Sequence, residues 1–153
     1  MADLRVSTLW QPWADLIISG TKDVENRTKP FPSTIGLPTR IGIHAGQQWD
    51  DAWRLTPGGA VEHPHLGVHR TFPGGRFAAG LLLGTVEVTG CHHARDCFEY
   101  IRLSFGAHDS YCSRWAEPDA WHWTLTDPQP LDVPVPMRGM LGLWRLAQEA
   151  AHV

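Results

Sequence analysis

The stretch W-Q-P-W-A-D-L-I-I-S-G-T-K-D-V-E-N-R, Trp10 to Arg27, reads as the end of a strand, a short helix, a glycine stop and a charged second strand. Proline suits the first turn of a helix, where its missing N–H had no partner to lose, so Gln11-Pro12 opens a helix that runs to Ser19. Trp13, Leu16 and Ile17 then recur at the i, i+3, i+4 spacing of one buried face. Gly20 supplies the left-handed residue that ends it. Lys22, Glu25 and Arg27 follow in a strand spanning Lys22–Thr28. Residues two apart share a strand face, so Glu25 and Arg27 point together, and Lys22 joins them only across a bulge. Three charges directly after an apolar helix mark a candidate site at the helix–strand junction.

Outward from this stretch, short strands recur. Arg5–Trp10 precedes it. Arg40–Ala45 (R-I-G-I-H-A), Gly80–Cys91 (G-L-L-L-G-T-V-E-V-T-G-C), Ala120–Leu125 (A-W-H-W-T-L) and Met137–Leu146 follow it. Trp49, Ala52 and Trp53 predict a second helix over Gln47–Leu55, stopped by Pro57-Gly58-Gly59, and Cys97–Leu103 predicts a further helical turn or two. Lys29–Pro38 is a loop. Gly58–Arg76, without periodicity, reads as an insertion or lid. Asp127–Pro136 holds too many prolines for a central strand and fits an extended edge or crossover. Residues 147–153 form a short tail. With no repeat and no dividing linker, residues 1–153 make one domain, α+β but mainly β: a small barrel with peripheral short helices.

Composition narrows the function. Of 153 residues, 42% are hydrophobic and 19% charged, enough for a packed core. The formal net charge of −3 argues against holding long nucleic acid chiefly by phosphate neutralisation, yet leaves room for a pocket that takes one base. Eight tryptophans raise the expectation of an aromatic ligand. Three cysteines, no secretory-type N-terminus and no membrane-length apolar run lead to the expectation of a cytoplasmic protein with reduced thiols and no membrane partner. Oligomeric state is not written in these patterns.

The run from Trp10 to Arg27, with R-I-G-I-H-A-G, G-L-L-L-G-T-V-E-V-T-G-C, the W-H-W strand and the closing R-G-x-x-G-L-W-R, resembles ASCH domains, the activating-signal-cointegrator homology branch of the PUA-like superfamily. The likeness spans nearly the whole chain, Gly58–Arg76 least. It implies a PUA-like pseudo-barrel of about five to seven strands, with a cleft beside the first helix that binds RNA, DNA or a modified nucleoside. It also implies a rival. Related small enzymes hydrolyse N4-acetylcytidine with a lysine, a threonine three residues on and a glutamate, and other members cleave RNA. Lys22 stands at that lysine position, but Glu25 stands where the threonine nucleophile would be. A protein-interaction module is the third reading.

The expected base-binding residues are therefore Lys22, Glu25 and Arg27, surrounded by Trp10, His44, His122 and Arg138. Glutamate accepts from an exocyclic amine or ring N–H, while lysine and arginine donate to carbonyl or phosphate oxygens. The plain alternative is a surface ion-pair group of little energetic weight. Trp10 is the candidate stacking floor, and Trp13 and one face of W-H-W are candidate core. Arg138-Gly139 suits a phosphate or sugar contact and equally a turn; Ser113-Arg114-Trp115 is similar. If the chain is an enzyme, Lys22 and Glu25 carry the proton transfers. No cofactor motif occurs. C-H-H-x3-D-C (Cys91–Cys97) and H-x-H-x3-H (His63, His65, His69) contain ligand-type residues, but neither has structural-zinc spacing, so no metal is expected.

Overall fold

A computed structural model of the chain describes residues 4–70, 77–97 and 111–146. Its elements are β1 (Arg5–Gln11), α1 (Trp13–Ile18), β2 (Val24–Arg27), β3 (Thr39–Trp49), β4 (Arg54–Leu55), β5 (Ala60–His63), β6 (Gly67–Arg70), β7 (Leu81–His93), β8 (Trp121–Pro136) and β9 (Leu143–Arg145). Six strands form one mixed sheet in the order β2-β8-β7-β3-β1-β9, and β4-β5-β6 form a small second sheet. β1 and β3 run parallel, and the other pairs of the large sheet are antiparallel. The architecture is the expected mainly-β one, but among the described residues the large sheet does not close into a barrel.

The principal core lies between α1 and the sheet. Ile17, Ile18 and Ala14 pack with Leu9, Ile41, Ile43, Val86, Val88, Trp123 and Leu125. Leu16 turns instead into a second apolar cluster, with Trp53, Val61 and Trp115. The helix is thus buried nearly all round, a setting in which six residues hold a helix by tertiary packing rather than propensity. Gly20 does end it, at φ +82°. The close approach of β7 to β8 also demands glycine. A Cβ at Gly84 would lie 2.3 Å from the Gln129 carbonyl oxygen and 2.8 Å from the Pro130 Cα.

The expected helix over Gln47–Leu55 is absent. β3 continues through Trp49, and the chain then turns at Asp50, whose carboxylate accepts the Ala52 N–H at 3.0 Å while its carbonyl accepts the Trp53 N–H at 3.0 Å. Aspartate offers the backbone this local alternative to helix. The i, i+4 relation of the tryptophans survives in another form, because the Trp49 indole N–H donates to the Trp53 carbonyl at 2.9 Å. Within the expected insertion, β5 and β6 pair as a hairpin that covers the second apolar cluster; residues 71–76 lie outside the described set, as do the helical turn expected beyond Cys97 and the tail.

Asp127–Pro136 is the second half of β8. β2 pairs only with its first four residues, Trp121 to Thr124, so the prolines fall where one side of the strand carries no ladder among the described residues and a missing N–H is harmless. The last strand is shorter than expected: only Leu143–Arg145 pairs with β1, and residues 137–142 form an irregular connection. No helix among the described residues is long and apolar enough to cross a membrane.

Candidate functional site

Gln11 and Asp15 set the entry of α1. The Gln11 side chain accepts the Asp15 N–H at 3.1 Å and donates to the Asp15 carboxylate at 3.2 Å and to the Ala78 carbonyl at 2.9 Å. This amide caps the first turn in place of a serine or aspartate. Burial pushes the Asp15 carboxyl up to about 6, against the lowering effect of the Gln11 hydrogen bond. A carboxyl raised on folding makes the folded state bind the extra proton. Its contribution is therefore fully favourable at acid pH, is lost as pH rises from about 4 to about 6, and stays lost above that. Asp15→Asn is expected to remove this slope, so that the wild-type-minus-variant stability difference changes by roughly 2 kcal/mol across that window in pH-resolved urea titrations. A difference that is flat with pH would show Asp15 to be solvated.

At the other end of α1, the Lys22 N–H donates to the Leu16 carbonyl at 2.9 Å. β2 begins only at Val24, so Lys22 precedes the strand, and face alternation does not separate it from Glu25. Lys22 Nζ lies 3.2 Å from one Glu25 oxygen, and Arg27 Nε lies 3.5 Å from the other. Lys22 is 4% exposed. Its ammonium sits 5.0 Å from the centre of the Trp13 ring, a cation–π contact. Arg27 is held from behind by the Ser7 hydroxyl and by the face of Trp123.

Lys22 and Glu25 open onto a cavity of about 110 Å³ lined by Trp13, Lys22, Glu25, Asn26 and Glu117. Asn26 builds its far wall. It donates to the Trp115 carbonyl and accepts the Glu117 N–H, each at 2.9 Å, which clamps the 115–117 segment onto β2. Trp13 is fixed as the near wall by its indole N–H to Asp50 at 2.9 Å and by edge contacts with Trp53 and Trp115. Asn26 and Glu117 escape a linear reading. Asn26 alternates between two charged neighbours, and Glu117 arrives from a segment with no pattern of its own.

The other expected site residues are distributed elsewhere. Trp10 is 53% exposed and lines neither this cavity nor the larger one described next. His44 and Arg138 line a separate cavity of about 370 Å³ with Thr8, Gln47, Met137 and Gly139. There the His44 Nε2 bonds the Met137 carbonyl at 2.9 Å, while Nδ1 has no partner among the described residues. Arg27 reaches Ser7, and Thr8, the next residue of β1, points to the opposite face and into the larger cavity. The expected residues therefore divide between two cavities, where one cleft was expected.

His122 lies in neither cavity. It is fully buried, with Nε2 2.7 Å from the Glu117 carbonyl and Nδ1 facing the sulfurs of Cys97 and Cys112 at 3.4 and 3.6 Å. Partial desolvation, with the Cys97 thiol beside it, pushes the Cys112 thiol up to about 12 although the residue reaches the surface. Burial and the neighbouring His122 push His92 down. Arg114 packs over Trp115 and donates to the Leu66 carbonyl at 3.0 Å, tying the 113–115 segment to the small sheet.

A family profile described as the ASCH domain matches residues 8–134. A crystal structure of ASCH from Zymomonas mobilis superposes with a TM-score of 0.53 at 18% identity, covering 96% of this chain and 90% of that one. A tyrosine-to-phenylalanine mutant of that protein gives 0.52 at 19% identity, with 96% and 92% covered. Its serine-to-alanine mutant gives 0.51 at 20% identity, with 96% and 90% covered. At these identities the likeness is one of fold. A search of curated protein sequences finds no match.

Proposed function

The chain belongs to the ASCH domain family, a PUA-like family generally linked to RNA binding, and from this we propose that it binds nucleic acid or a modified nucleoside by taking one base edge into the cavity beside α1. The observation that carries the reading is the convergence of the buried Lys22 and of Glu25 and Glu117 among the residues that line one small concavity. A lining with more acceptors than cations suits a ligand that presents N–H groups, such as the exocyclic amine of a base, and is poorly suited to phosphate. The volume, about that of four waters in the liquid, fits the edge of a base and leaves the sugar and phosphate outside. No hydroxyl side chain lines the cavity among the described residues, so the residues offer no counterpart to a threonine nucleophile. Binding is favoured over amide hydrolysis.

The test measures affinity and turnover together, with short single-stranded RNA and DNA, cytidine and N4-acetylcytidine. Lys22→Met is expected to weaken binding by about 10- to 100-fold, the loss of one charge-assisted hydrogen bond, with no product in either protein. Arg138→Ala, in the other cavity, is expected to leave the affinity for nucleosides unchanged. If the Arg138 variant loses affinity while the Lys22 variant keeps it, the larger cavity is the site. Release of acetate or cleaved RNA by the wild type, lost in Lys22→Met, would establish the enzymatic alternative.

A further inference from the structure

We propose that His92, Cys97, Cys112 and His122 form a structural zinc site that fastens the 111–117 segment to the end of the β7–β8 pair. The nitrogen and sulfur ligand atoms of these four side chains all lie within 4.8 Å of one another. Their spacing in the chain matches no zinc motif because three separate pieces of backbone supply them. His92 and His122 are register partners across β7 and β8, so both imidazoles stand on one face of the sheet, with ring centres 5.3 Å apart. Cys97 follows in the helical residues 94–97, and Cys112 comes from the segment that leads into β8.

The distances fit a tetrahedral ion. Zinc–nitrogen and zinc–sulfur bonds of about 2.0 and 2.3 Å place N and S about 3.6 Å apart around the metal. Nδ1 of His122 lies 3.4 Å from the Cys97 sulfur and 3.6 Å from that of Cys112. His92 Nε2 stands closer to Cys97, at 2.5 Å, and would move outward by about 1 Å to admit the ion.

The surrounding groups fix the ligands. The His122 Nε2–H donates to the Glu117 carbonyl at 2.7 Å. That bond selects the tautomer with a bare Nδ1 lone pair facing both sulfurs, as second-shell partners do for metal-binding histidines. Cys97 and His122 are buried, while Cys112 lies at the surface and leaves an entry path. Two thiols and two imidazoles supply four protein ligands of the type that zinc takes in closed, structural sites. Cys91 is excluded from the set: its sulfur accepts the Phe31 N–H at 3.3 Å. His93 faces away as well, toward Trp121 and Asp119.

The test uses the whole chain, reduced and freed of metal, titrated with Co2+ and then Zn2+. One cobalt per chain is expected, with the absorption of tetrahedral, thiolate-bound cobalt, displaced by zinc. Cys97→Ser and Cys112→Ser are each expected to lower cobalt affinity by about 100-fold or more, beyond the loss typical of a second-shell change, and Cys91→Ser to leave it unchanged. Thiol alkylation of the native wild type needs no variant to fold: zinc is expected to shield Cys97 and Cys112, and a chelator to expose them. The proposal is overturned by a wild type without thiolate-to-cobalt bands, by unchanged affinity in Cys97→Ser, or by alkylation rates indifferent to zinc. Recovery of a Cys97–Cys112 disulfide from protein kept under reductant would overturn it too. None of these readouts depends on nucleoside binding.

Discussion

Replacing Glu25 with alanine is expected to lower the unfolding free energy by about 3 kcal/mol, the low end of what removing one partner from a buried ion pair costs. Lys22 is almost wholly buried and has Glu25 as its carboxylate at 3.2 Å. Without Glu25 the ammonium keeps, among the contacts of the described residues, the Trp13 face at 5.0 Å, and the Arg27 Nε loses the carboxylate 3.5 Å away. The loss stays at the low end because Glu25 borders the cavity, where water can take its place. Lys22→Met combined with Glu25→Leu is expected to recover most of the stability, since apolar side chains of similar volume replace buried ion pairs at little cost. Urea unfolding of Lys22→Met, Glu25→Leu and the double variant closes a cycle. A Glu25→Ala effect under 0.5 kcal/mol would mean that the pair is solvated, and the argument for a preformed recognition site would fall with it.

Trp123→Ala carries the largest expected loss, about 3–5 kcal/mol, the range for truncating a buried aromatic to alanine. Trp123 is buried in the principal core, meets Phe31 edge-on at 4.9 Å, and donates its indole N–H to the Lys29 carbonyl at 3.4 Å. Its ring also supports the Arg27 guanidinium, 5.1 Å from its centre. Because Trp123 pairs with Glu25 across β2 and β8, truncation should loosen the cavity as well as the core. Trp10→Ala is the matched control. Its ring is half exposed, so the change in stability should stay within about 0.5 kcal/mol. Chemical denaturation of both variants checks the contrast, and equal losses would show that Trp123 is not the anchor described.

Periodicity made the frame legible. Alternation in R-I-G-I-H-A and W-H-W, the apolar run from Gly80 and the i, i+3, i+4 pattern after Pro12 all correspond to strands or helix in place. It failed at Gln47–Leu55, where two tryptophans four apart mimic a helical face and Asp50 supplies a turn instead. Alternation also misjudged the relation of Lys22 to Glu25, because the strand starts two residues later than the charge pattern implies.

The chain order by itself determined the family and the mainly-β frame and singled out Lys22, Glu25 and Arg27 as candidates, since these rest on local spacing and on short runs of residue type. Only the tertiary structure decided which residues share a cavity. Lys22 and Glu25 meet Asn26 and Glu117, His44 and Arg138 belong to a different concavity, and His122 turns to Cys97 and Cys112. The physical reason is that strand register, unlike strand identity, is set by long-range pairing. The juxtaposition of β2 with β8, and of β8 with β7, brings together side chains up to 95 positions apart, from Lys22 to Glu117.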